Sequence, residues 1–151
     1  MKSLLVGIIF LATSLFLNQT AFAAHMLMAR TPQSFPEAML KLQEVIRNKG
    51  YVVSRVQRVD IGLTSSGYQT DKYRVVFYGV PEEIARLSKK YPALISYLPL
   101  KISIFAEGKD TILVTANPQH LKKAGDAALA RAINKWERDL VDIFAEMREE
   151  E

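Results

Sequence analysis

The sequence predicts an α+β domain, with helices on one face of a mostly antiparallel sheet in the order β-α-β-β-α-β-β-α. Three observations carry that expectation. Residues 73–118 read YRVVFYG, then VPEEIARLSKKYPALISYLP, then LKISIFAEGKDTILVTANP. That is a strand, a helix, a proline-lined descent and a β-hairpin. Residues 34–48 carry apolar side chains at helical spacing between a capping box and Gly50. Near the C-terminus Leu129, Ile133, Trp136, Leu140, Ile143 and Met147 recur in steps of three and four.

In chain order, Ala24 to Arg30 is short and apolar and reads as a first strand, with Met26 and Met28 on one face. Ser34 and Glu37 form the capping box of the first helix, Ser34 to Asn48. Its buried stripe is Phe35, Met39, Leu42 and Ile46. Tyr51 to Ile61 reads as a second strand. Val53 and Val56 share a face there only if a bulge falls near Ser54 or Arg55. Gly62 to Lys72 is polar and reads as an exposed loop, with no phosphate-loop spacing.

Tyr73 to Tyr78 is apolar on both faces, as a central strand is. Pro81 suits a first helical position, and Glu82 and Glu83 suit the positive end of the helix that follows. Pro92 ends that helix at Tyr91. In the hairpin, Leu100, Ile102, Ile104 and Ala106 share one face, and Lys101, Ser103 and Phe105 the other; Glu107 to Asp110 is the turn. A last helix begins near Gln119 or Leu121, delayed or interrupted at Gly125, and runs to Met147. Phe105 and Leu113 are read as apolar residues on the side away from the helices. That side is too greasy for free solvent, so a sheet-mediated homodimer is expected to cover it.

The start of the chain has the anatomy of a secretory signal. Lys2 precedes an apolar run from Leu4 to Leu17, and Ala21-Phe22-Ala23 offers a small-residue cut. The run is about 14 residues, against the roughly 20 needed to span a bilayer. The expectation is a signal over 1–23, a single domain over 24–151, a periplasmic or secreted location and no stable membrane insertion after cleavage. Without Lys2 the basic residues number 19 against 16 acidic ones, with no sustained basic run. Nucleic acid is therefore not an expected partner. The chain has no cysteine, which excludes disulfide and thiolate redox chemistry.

The pieces KLQEVIRNKGYVV, YRVVFYGVPEEI, YLPLKISIFAEG and TILVTANP, in this order and spacing, resemble the domain-of-unknown-function family DUF302 over Phe35 to Pro118. The resemblance implies a small α+β domain that tends to dimerise, and no settled activity. Many relatives place an aspartate-histidine pair after the second strand; here the residues are Asp60-Ile61. Some have a cysteine after the Leu-Pro step; here it is Leu100. The resemblance therefore carries no metal, redox or thiol assignment to this chain.

No catalytic constellation stands out. His25 and His120 belong to no compact ligand motif, and no serine has an evident histidine partner. Four groups remain as candidates. Asp60 at the end of the second strand is a carboxylate beside a loop. Arg74 and Lys101, with Arg55 and Arg58, would converge on an anion if their strands are neighbours. Tyr91, Tyr97, Leu98 and Pro99 form an aromatic corner that would rim a small apolar pocket or partner groove. No cofactor is expected; the alternative is copper held by the Ala24 amine, His25, Met26 and Met28. The leading function class is an exported module that binds a small ligand or a protein. The alternatives are an enzyme using Asp60, and a structural component of an envelope complex.

Overall fold

The structure, a computed structural model, describes residues 25–148. The signal expected over 1–23 and the Ala24 amine lie outside the described residues. The elements are β1 (Met26–Thr31), α1 (Phe35–Asn48), β2 (Val52–Arg58), α2 (Val59–Ser65), β3 (Tyr73–Gly79), α3 (Pro81–Lys90), β4 (Leu100–Glu107), β5 (Asp110–Ala116) and α4 (Ala127–Arg148). Short 3₁₀ segments, Pro92–Ser96 and Pro118–Ala124, precede β4 and α4. One sheet of order β1-β5-β4-β3-β2 runs through the domain, and every pairing is antiparallel. The α+β expectation holds.

Several local features fall where the sequence places them. Glu37 accepts the Ser34 N–H at 3.0 Å, closing the capping box of α1. Gly50 leaves α1 at a φ of 83°, a backbone that a Cβ would strain. The β2–β3 register shifts between Val53 and Arg55, and the bulged Ser54 donates its hydroxyl to the Phe77 carbonyl at 3.2 Å. Gly108 takes the first central position of the hairpin turn with a φ of 61°.

The end of the second strand differs from expectation. The second strand stops at Arg58, and the polar stretch after it opens with α2, a helix of about two turns. Asp60 sits in the first turn, where its carboxylate accepts the Ile61 N–H at 2.9 Å. The last helix is delayed past Gly125, as the sequence allows, and starts at Ala127, where Asp126 caps it by accepting from the N–H groups of Ala128 at 2.9 Å and Leu129 at 3.2 Å.

Directly opposed residues in an antiparallel pair share a face, so the register sorts the side chains. Val76 opposes Ile102, and Ile104 opposes Leu113. These join Leu42 and Ile46 of α1, Leu87 of α3 and the α4 stripe in one core. All six stripe residues of α4 are buried within the chain, so the stripe belongs to the core. The other side of the sheet carries three rows. One is Arg55, Phe77 and Lys101; the next is Gln57, Val75, Ser103, Val114 and Met28; the third is Tyr73, Phe105, Ile112 and Arg30.

Leu113 does not lie on the open side, contrary to expectation. It faces the helices and is fully buried, while Ile112 and Val114 accompany Phe105 on the open side. The turn leaves only Gly108 and Lys109 between the paired Glu107 and Asp110, which sets Phe105 against Ile112.

Tyr78 is buried in the core, edge-on to Tyr51 with ring centroids 5.3 Å apart. The Tyr51 hydroxyl donates to Asp139, whereas the Tyr78 hydroxyl has no hydrogen-bond partner among the described residues. Burial pushes the Tyr78 hydroxyl pKa up. An unpaired buried hydroxyl is destabilising, so Tyr78→Phe should raise the unfolding free energy by about 1 kcal/mol in urea. A loss of stability instead would show that the hydroxyl is satisfied.

Candidate functional site

The open face holds two adjoining hollows. The first, of about 220 Å³, is walled by Tyr97, Lys101, Ser103, Val114, His120 and Leu121, among others. The second, of about 520 Å³, lies toward Asp71, Lys72, Tyr73 and Phe105. Met26, Ser103 and Val114 line both, so the two form one groove across β5 and β4. Its making is local. The 3₁₀ segment after β5 carries His120 and Leu121 to one wall, and the chain before β3 supplies Asp71 and Lys72 to the other.

The groove is mostly apolar, as small-molecule sites are. Val75, Phe77, Tyr73, Phe105 and Val114 remain half-buried on this face, and Met26 and Met28 are 41% and 58% exposed. No carboxylate lines the first hollow. The Lys101 ammonium is exposed, with no ion-pair partner among the described residues. His120 is hydrogen-bonded through Nδ1 to the Asn117 carbonyl and stands edge-on to Tyr97, with centroids 5.4 Å apart.

The structure divides the candidate residues. Tyr97 and Lys101 meet in the first hollow. Pro99, preceded by a cis peptide bond, lies in the corner that delivers Leu100 and Lys101 to β4. Asp60 and Arg74 are elsewhere. They form an ion pair with side chains 15% and 14% exposed, and the Arg74 guanidinium lies 5.7 Å from the Phe35 ring centroid. The Arg74 guanidinium holds the Asp60 carboxyl below its usual range. Arg74 points to the helix side and Lys101 to the open side, so these two do not converge. Among Arg55, Arg58, Arg74 and Lys101, only Arg55 and Lys101 share a row on the open side, flanking Phe77.

Tyr91 is not in the groove. Its hydroxyl donates to Asp126 at 2.5 Å, and Lys90 reaches the same carboxylate at 2.8 Å. Lys90 first, then Tyr91, holds the Asp126 carboxyl far below its ordinary value of 3.8. The folded chain therefore binds this proton less readily than the unfolded chain. The contribution of the charge is fully present above that ordinary value and fades as pH falls through the depressed one. Asp126→Asn keeps a capping side chain but removes the charge. Its melting midpoint should lie below that of the wild type near neutral pH, and the gap should close in strong acid. A gap that does not change with pH would contradict this role for the charge.

Met26 and Met28 fill no core; both project from the open side of β1, and His25 is exposed beside them. Sequence reasoning missed His120, Ser103, Val114 and Leu121 as wall residues. Hairpin register was the available signal for Val114. No local pattern marked His120.

The comparisons with known proteins agree with this fold. The sequence model described as a domain of unknown function, DUF302, matches residues 28–147. No curated protein matches the chain. A crystal structure of an uncharacterised conserved DUF302 protein from Bacillus stearothermophilus superposes with a TM-score of 0.72 at 19% identity. The match covers 82% of this chain and 98% of that one. At that identity the likeness speaks for the fold alone. The family match, spanning most of the described residues, shows that this chain belongs to the DUF302 family.

Proposed function

We propose that this protein is an exported binding module whose working surface is the open face of the sheet, with a small ligand seated in its groove. The observation that carries the reading is the continuity of the two hollows through Met26, Ser103 and Val114 on an apolar face. The export part rests on the Met1 to Ala23 segment. Among the described residues, no helix is long and apolar enough to cross a membrane.

An enzymatic reading centred on Asp60 has less support. Its carboxylate lines neither hollow of the groove and is engaged by Arg74. A general acid near neutral pH needs the opposite shift.

A second reading has a specific observation behind it: a second copy of the chain covers the same face. Both sheet edges are defended against edge-to-edge pairing. Arg148 donates to the Met28 carbonyl at 2.6 Å on β1, and β2 carries its bulge with exposed Arg55 and Arg58. Association would then go face to face, through the open side of the sheet, rather than edge to edge.

Native mass spectrometry of protein purified gently from its own host tests both readings. A chain beginning at Ala24 with added small-molecule mass supports export and the ligand site. A doubled mass without addition supports the second copy as the occupant. A bare monomer would overturn the assignment of the open face.

A further inference from the structure

We propose that the groove takes a single-chain amphipathic anion, its head group at Lys101 and its apolar tail laid along β4 and β5 toward Phe105. This rests on the reading of the open face as a ligand site and adds the chemical class of the ligand. Charge asymmetry is the first argument. The titratable residues of the first hollow are Lys101, His120 and Tyr97, and no Asp or Glu lines it. Arg55, exposed two strands away in the same cross-strand row, lies outside the lining of the groove and adds positive charge only to the surface around that end. The far end holds Asp71 and Lys72 together, so it offers no net positive charge. An anionic head is therefore favoured at one end only, and this sets the direction in which the ligand lies.

The floor supplies the second argument. Beyond Lys101 the groove runs over Met26 and Val114 to Phe105 and Tyr73, with Ser103 as its polar interruption. Lys101 and Phe105 lie on one face four residues apart, about 13 Å along an extended strand. An extended tail of roughly ten atoms spans that length. A shorter tail leaves apolar floor in water, and each methylene removed costs up to about fourfold in affinity.

The experiment uses the purified protein carrying methyl-labelled methionine, titrated below micelle-forming concentrations with decanoate, decanol and decyltrimethylammonium. Met26 lines both hollows and reports binding; Met147, fully buried in the core, reports whether the fold is disturbed. The expected result is a saturable shift of the Met26 methyl with decanoate, a weaker response to decyltrimethylammonium, and a still Met147 methyl. Lys101→Met should weaken decanoate binding about fivefold and leave decanol binding unchanged, as for an exposed ion pair. Lys89→Met, on the exposed side of α3, should change neither. If all three probes bind alike and Lys101→Met has no effect, the anion assignment falls while the groove remains a ligand site. If no probe moves Met26, or Met147 moves with it, the ligand site itself falls.

Discussion

Leu113→Lys should cost on the order of 4 kcal/mol or more and leave little cooperative folding, while Val114→Lys, one residue on, should fold with a loss of about 1 kcal/mol or less. The contrast follows from strand parity. Leu113 is fully buried opposite Ile104, inside the layer between sheet and helices. A lysine there must hold an ammonium in an apolar core or give up its proton, and both are costly. Val114 opposes Ser103 on the open face and is half-buried in the groove. A lysine there reaches solvent along its own stem. Urea unfolding followed by the fluorescence of the one tryptophan reads both variants. Equal losses would contradict the face assignment on which the site depends.

Trp136→Ala should lower the unfolding free energy by about 3–5 kcal/mol, and Trp136→Phe by less. Trp136 is 2% exposed and lies in the α4 stripe between Ile133 and Leu140, all three within the core. Its indole N–H donates to the Glu83 carboxylate at 3.1 Å, which also ties α4 to α3. Truncation removes the largest buried side chain and leaves that carboxylate without its α4 partner. Denaturation followed by circular dichroism measures the change, since the fluorophore is lost. A cost under about 1 kcal/mol would mean that α4 does not pack on the sheet as described.

Much of this fold was legible because local and tertiary signals coincide. The capping box at Ser34 and Glu37, the bulge at Ser54 and the α4 stripe each have a sequence pattern with one physical reading. The helix α2 was not legible. Val59 to Ser65 contains Gly62 and Thr64, both weak helix formers, and none of its residues is buried. Its first turn is held instead by Asp60 bonding to Arg74, a partner fourteen residues on. The side that Leu113 takes was not legible either, because strand alternation sorts residues within a strand but not between strands. Only the two-residue turn at Gly108-Lys109 connects the two patterns, and it pairs Ile104 with Leu113.

The site was legible in part for the same reason. Tyr97 and Lys101 reach the groove by their position around the start of β4. Asp60 and Arg74 found each other instead of a ligand, and Tyr91 bonds to the cap of α4. Those pairings depend on which elements pack together, which composition and spacing do not encode. His120 reaches the groove only because the 3₁₀ segment after β5 folds back beside Tyr97.

The most direct test of the open face as the working surface is a pair of native mass spectra, wild type beside Val114→Lys, both purified gently from the host. The account predicts that the wild type carries added mass, from a small ligand or a second copy, and that Val114→Lys flies as a bare folded monomer. Identical spectra for the two proteins would contradict it.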